Sequence, residues 1–178
     1  MDLTQIKLII TDVDGVLTDG GLYYSAEGEA MKRFHVHDGL GIKMLMACGI
    51  QVAALSGGDH PLLRSRLAEL KIKLVKLGKM EKRSACFELM KEAGVTPEQT
   101  AFIGDDSLDL PAFEVCGLAI ATANARDYVK KQADWVLDCA GGHGAFREVS
   151  DRVLEAQGFS EIFSSADGFL KVANKMAQ

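Results

Sequence analysis

Apolar residues in this chain come in short runs separated by polar, glycine-marked breaks, and their spacing alternates between strand-like and helix-like. Ile6 to Ile10 is β-branched and aliphatic enough for a strand buried on both faces, and it stops abruptly before two carboxylates, Asp12 and Asp14. Gly21 to Val36 reads as two strands joined at Ala26-Glu27-Gly28, a hairpin. Asp38 takes the place of an N-cap, and Ile42, Leu45, Met46 and Cys48 form a helical apolar face that ends on Gly49. Strand-like segments then follow at Gln51 to Leu55, Ile72 to Val75, Thr100 to Ile103, Leu118 to Ala121 and Trp135 to Leu137. Helical segments alternate with them at Pro61 to Leu70, Lys82 to Ala93, Leu110 to Val115 and Asp127 to Gln132, and Gly141-Gly142-His143-Gly144 opens a last helix, Ala145 to Ala156.

One helix between each pair of strands predicts right-handed crossovers and a parallel sheet covered on both faces, a doubly wound α/β fold. A chain of 178 residues can bury one proper core, with little left over for a second. The expected organisation is one domain over residues 1–158, with the hairpin at about 20–37 as an insertion, and a tail over 159–178. Phe159, Ile162, Phe163, Phe169, Leu170 and Val172 make that tail too apolar for a linker, so it is expected to dock.

In open parallel sheets the carboxyl ends of the strands carry the chemistry. The ends of four successive predicted strands hold Asp12/Asp14, Ser56-Gly57, the Lys79 to Lys82 region and Gly104-Asp105-Asp106-Ser107-Leu108-Asp109. Residues 12 and 14 share a side in extended chain, and Gly15 lets the backbone turn away. Taken alone, D-x-D-G reads equally well as a polar turn. Two acid clusters facing each other would repel strongly in a low-dielectric crevice, and a divalent cation between them resolves this. Oxygen-only donors suit Mg²⁺, which readily shares its shell with a phosphate. The Ser56 hydroxyl, the backbone N–H at Gly57 and a lysine suit phosphate oxygens.

Charge narrows the partners further: 20 Lys+Arg against 25 Asp+Glu give a net charge of -5 with no basic stripe, which argues against nucleic acid. The first residues lack a charged-then-apolar leader, and no apolar run approaches the ~20 residues of a membrane span, so a cytoplasmic protein without a membrane partner is expected. Cys48, Cys86, Cys116 and Cys139 lack metal-ligand spacing and read as reduced thiols.

With those residues in hand, the chain resembles the haloacid dehalogenase-like phosphatase superfamily: D-V-D-G-V at Asp12, S-G at Ser56, Lys82 and G-D-D-S-L-D at Gly104 match its four motifs in order. The resemblance implies Asp12 as nucleophile, forming an aspartyl phosphate, and Asp14 as general acid and then base. It implies Mg²⁺ on Asp12, the Asp14 carbonyl and Asp105, with Lys82 offsetting charge and Asp106 and Asp109 in support. For Asp109, an acid facing a helix dipole is an equal alternative. Only a hairpin fits between Gly20 and Asp38, and only a helix and a strand between Ser56 and Lys82, so the core carries no cap domain. An open site of that kind implies a homo-oligomer whose neighbouring subunit completes it.

Phe34-His35-Val36-His37-Asp38-Gly39-Leu40-Gly41 and Gly141-Gly142-His143-Gly144-Ala145-Phe146-Arg147-Glu148 resemble the capless subgroup that acts on sugar-acid phosphates, and extend the likeness to nearly the whole chain. Membership implies hydrolysis of an eight-carbon sugar-acid phosphate in a cytoplasmic step of lipopolysaccharide synthesis, by a homotetramer with the hairpins at its centre. It further implies that His35, Val36, His37, Asp38, Gly39, Lys43 and Arg66 line the sugar-acid side of the pocket. Lys43 and Arg66 suit a carboxylate, though solvated cations on helices read the same way. His37 and Gly58 stand where relatives usually carry Arg, which puts affinity and substrate preference in question but leaves the four motifs intact. Two alternatives remain: a phosphatase for nine-carbon sugar-acid phosphates, and a receiver-type module that stores an aspartyl phosphate, for which Asp14 would have no use.

Overall fold

The computed structural model describes residues 2–177. Among them a six-stranded sheet runs in the order β5-β4-β1-β6-β7-β8, where β1 is Leu8–Thr11, β4 Gln51–Leu55, β5 Leu74–Lys76, β6 Thr100–Gly104, β7 Leu118–Ala121 and β8 Trp135–Val136. Every pairing in it is parallel. β1 is central, flanked by β4 and β6, and all its residues are buried. Its side chains alternate between two cores: Ile9 joins one, Leu8 and Ile10 the other. On the Ile9 side lie α1 (Val36–Ala47), α2 (Pro61–Glu69), α6 (Ala145–Ala156) and α8 (Ala166–Ala177). On the other lie α3 (Lys82–Ala93), α4 (Leu110–Phe113) and α5 (Asp127–Lys130). This is the doubly wound α/β sheet that the alternation predicts.

Departures are local and have causes. The first strand starts at Leu8, not Ile6, because a turn of 3-10 helix over Leu3–Gln5 uses Ile6 as its cap. Helix α1 begins at Val36, with His35 as the N-cap, so Asp38 sits inside the first turn. Its carboxylate instead accepts from the Arg147 backbone N–H at 2.8 Å, in the first turn of α6, whose own N-cap Gly144 has no side chain to offer. Ser107–Asp109 is a 3-10 turn leading into α4, which is shorter than predicted because it ends at Phe113.

The hairpin comprises β2 (Tyr23–Ser25) and β3 (Gly28–Met31), with Gly28 at a φ of 120° that favours glycine. It is tied to the core at its base by a bridge between Thr18 and Phe34. The last residues form α7 (Glu161–Ser164) and α8, where Ile162 and Val172 are buried in the same core as the apolar face of α1. No helix among the described residues is long and apolar enough to cross a membrane.

Candidate active site

Asp12 follows β1 directly and stays in register with β6, donating its N–H to the Ile103 carbonyl at 2.9 Å. The chain then coils tightly: the N–H groups of Leu17 and Thr18 both reach the Val13 carbonyl, and the Thr18 hydroxyl accepts from Gly15 and Gly20 N–H at 3.3 Å each. Gly15 has a φ of 92°, and a Cβ there would lie 2.1 Å from Asp105 Oδ2. Glycine therefore lets the loops after β1 and β6 close on each other. Gly141 packs beneath, where a Cβ would lie 1.7 Å from the Gly15 carbonyl oxygen, and its N–H is held by Asn124 Oδ1 at 2.9 Å.

At the end of β4, Ser56 is buried and its hydroxyl accepts from Gly58 N–H at 3.1 Å. The first residue of α3 is Lys82, whose side chain has no solvent exposure; Nζ lies 2.6 Å from Asp109 Oδ1 and 2.8 Å from Asp12 Oδ1. Asp109 Oδ2 accepts from the backbone N–H groups of Asp105 (2.8 Å) and Asp106 (3.2 Å), so both its oxygens are committed. Asp106 accepts from Ser107 N–H and from the Tyr128 hydroxyl. Asp12, Asp14, Ser56, Gly57, Gly58, Asp105, Asp106 and Asp109 line one open cavity of about 400 Å³, with Met80 and Leu108 among its apolar walls.

The electrostatics of this cavity are unbalanced. Carboxylate oxygens of Asp12, Asp105 and Asp109 all lie within 4.8 Å of one another. Burial, and then the charges of Asp12, Asp109 and Asp106, push the Asp105 carboxyl up to about 7. Burial also pushes Asp12 up to about 7, against the pull of Lys82. Burial would by itself lower the Lys82 pKa, but Asp12 and Asp109 outweigh it and hold the ammonium charged. One ammonium cannot compensate three carboxylates, and the two charges left over match a divalent cation. Because Asp109 is spent on Lys82 and on the loop, Asp12 and Asp105 are the side chains that fit such an ion, with oxygen donors suited to Mg²⁺.

Apart from Gly58, the other residues singled out in the sequence lie elsewhere within the chain. His35, Asp38, Gly39 and Arg66 surround a separate, much smaller cleft with Leu17, Phe34 and Ile42. There, His35 Nδ1, Asp38 Oδ2 and Arg66 Nε are buried without a hydrogen-bond partner. Arg66 stacks 5.7 Å from the Phe34 ring centroid and pairs with Glu69 at 2.9 Å. Val36 is exposed, His37 meets His35 edge-on at 4.9 Å, and Lys43 lines a third cleft beside Lys71, Lys73 and Lys175. Gly58 faces the acid cavity, where a Cβ would lie 3.4 Å from Asp14 Oδ2.

The sequence reading missed Lys32, which follows β3 and whose Nζ lies 2.7 Å from Asp14 Oδ1. The available signal was weak: in the period-two pattern of the hairpin, Lys32 shares a face with Phe34, which packs on the core.

Comparison with known proteins agrees with this geometry. A family profile for haloacid dehalogenase-like hydrolase matches residues 69–148. The chain is 64% identical over 176 residues to the 3-deoxy-D-manno-octulosonate 8-phosphate phosphatase of Haemophilus influenzae, covering 99% of this chain and 98% of that protein. A cobalt-bound structure of the Haemophilus influenzae phosphatase superposes with a TM-score of 0.94, at 64% identity, over 96% of this chain and 99% of the other. The Moraxella catarrhalis phosphatase, in complex with magnesium ion, phosphate ion and KDO, superposes with a TM-score of 0.88 at 36% identity, over 92% of this chain and 94% of the other. The chain belongs to the haloacid dehalogenase-like hydrolases, in the branch that holds the 3-deoxy-D-manno-octulosonate 8-phosphate phosphatases.

Proposed function

We propose that this chain is a Mg²⁺-dependent phosphomonoester hydrolase that converts 3-deoxy-D-manno-octulosonate 8-phosphate to the free sugar acid and inorganic phosphate. The observation that carries the proposal is the meeting of Asp12, Asp105 and Asp109 oxygens within 4.8 Å around a buried lysine, in a chain 64% identical to such a phosphatase.

Asp12 is the nucleophile: its carboxylate attacks phosphorus and gives an aspartyl phosphate. Lys82 lies against the attacking group and draws off part of the charge repulsion between two anions. Asp109 acts through Lys82, holding its ammonium in place. The Ser56 hydroxyl and the backbone N–H at Gly57 bind phosphate oxygens at the end of β4. Asp14 gives its proton to the departing sugar oxygen and afterwards takes one from the water that cleaves the acyl phosphate. Asp12, the Asp14 backbone carbonyl and Asp105 would hold the metal, which would polarise the phosphoryl group and offset its charge. Asp106 keeps the Asp105 loop in position through Ser107 and Tyr128.

Residues 1–158 act as the hydrolase domain and 159–178 as its tail. The hairpin exposes Leu22 (67%), Tyr24 (70%) and Met31 (62%), which supports a homotetramer built on hairpin contacts. In that assembly His35 to Gly39, Lys43 and Arg66 of one copy serve the sugar-acid end of a neighbour's site. The setting is the cytoplasm, in lipopolysaccharide synthesis.

The test is phosphate release from a panel of sugar phosphates, with Mg²⁺ and with EDTA, alongside mass determination by light scattering. Release from the eight-carbon substrate only with metal is the expected result. A clear preference for a nine-carbon sugar-acid phosphate would replace the substrate, and no release from any phosphomonoester would overturn the reaction.

A further inference from the structure

Lys32 lies outside the four motifs, on a hairpin whose strand β2 is exposed throughout, yet its side chain is only 5% exposed. A long cation on a solvated ribbon ordinarily keeps its ammonium in water. This one is turned inward between two carboxylates, 2.7 Å from Asp14 Oδ1 and 2.9 Å from Glu29 Oε1. Glu29 also approaches the loop after β4, with Oε2 3.9 Å from His60 Nε2. The hairpin thus reaches the loop after β1 through Lys32 and the loop after β4 through Glu29.

The Asp14 side chain needs such a partner. It is 40% exposed, and its other contact, to the Thr18 hydroxyl, is long at 3.5 Å. On the opposite side stands Gly58, which has no side chain to confine it. A carboxylate so placed would otherwise sample several rotamers. We infer that Lys32 is a positioning residue for the reaction: by pairing with Asp14 it fixes the direction in which that carboxyl presents its proton, and makes this depend on the hairpin being seated. The inference rests on the reading of Asp14 as proton donor. In that step the Asp12 oxygen bonds to phosphorus as the ester bond breaks, and the proton of Asp14 passes to the departing oxygen.

The leaving group provides the test. A sugar alkoxide needs that proton, whereas 4-nitrophenolate leaves without it, so kcat/KM for the two substrates separates proton delivery from general damage to the site. Lys32→Met is expected to lower kcat/KM at least tenfold for the sugar-acid phosphate and less than threefold for 4-nitrophenyl phosphate, with Lys32→Arg recovering most of the loss. Lys32→Gln, which keeps a polar end, serves if Lys32→Met does not fold. Equal losses on both substrates, or no loss on either, overturn the inference. Asp14→Asn measured in parallel keeps the two questions apart. Selective loss on the sugar phosphate in Asp14→Asn upholds Asp14 as donor whatever Lys32 does, and its absence removes the donor role itself.

Discussion

Lys82 Nζ meets Asp12 Oδ1 at 2.8 Å in a place where the lysine side chain has no contact with solvent. The pair is held from the far side by Asp109, so the ammonium is shared between two acids rather than owned by one. Removing the one cation of such a buried set leaves two carboxylates without compensation, which is more damaging than the set is stabilising, whereas removing one of the acids leaves the ammonium paired with the other.

Lys82→Ala is accordingly expected to cost about 3–5 kcal/mol of stability, read from denaturant midpoints at neutral pH in EDTA. Turnover should fall by roughly 10²–10³ or more, as when a transition-state charge partner is lost. An unchanged midpoint would show that the carboxylates around position 82 do not depend on its charge.

Asp12→Asn keeps the shape of the side chain and removes a buried negative charge. Phosphate release is expected to vanish while the cooperative unfolding transition survives, without loss of stability in EDTA. Substantial residual turnover would overturn the proposal that Asp12 is the nucleophile.

The metal-free protein should become less stable as pH rises. Asp12 and Asp105 are each raised from 3.8 to about 7 in the folded state, so between those values the unfolded chain has already lost protons that the native state keeps. Stability therefore falls from about pH 4 to about pH 7 and levels off above. In EDTA the Tm is expected to drop by several degrees between pH 5 and 7.5, given that 1 kcal/mol moves a domain of this size by about 2–4 °C. Excess Mg²⁺ favours the ionised carboxylates and should abolish or reverse that trend. A flat profile in EDTA would mean that the acids are not crowded in solution as they are here.

Gly15→Ala places a methyl group 2.1 Å from Asp105 Oδ2 at a backbone angle of 92° that side chains rarely adopt. The expected result is a loss of about 1–3 kcal/mol from backbone strain and an increased Mg²⁺ concentration for half-maximal activity. Calorimetric titration of the metal on the variant checks the second effect directly; wild-type affinity would show that Asp105 can move aside without consequence.

The parts of this arrangement visible in the sequence are those fixed by a strand and its end. β1 and β6 are buried on both faces, so their apolar runs are continuous and the acids that interrupt them stand out. The Lys79 to Lys82 region stands out for the same reason, at the end of a predicted strand, and it is the family resemblance that singles out Lys82 within it. Contacts made by a flexible ribbon folding back do not stand out: Lys32 reaches Asp14 across 18 residues of sequence, and nothing local marks it apart from a solvated lysine. Asp38 shows a subtler failure. Its residue type marks a cap, but the helix it serves is α6, which begins at residue 145, and not its own.

The three strands β4, β1 and β6 lie side by side, and each ends in one of the loops that face the cavity. The spacing of the groups on its floor is thereby inherited from the repeat of the sheet, about 4.8 Å per strand, and cannot be retuned without bending the backbone ladder beneath. In proteins built this way selectivity is most freely changed from above, by redrawing a peripheral ribbon or loop over a floor whose spacing the sheet sets.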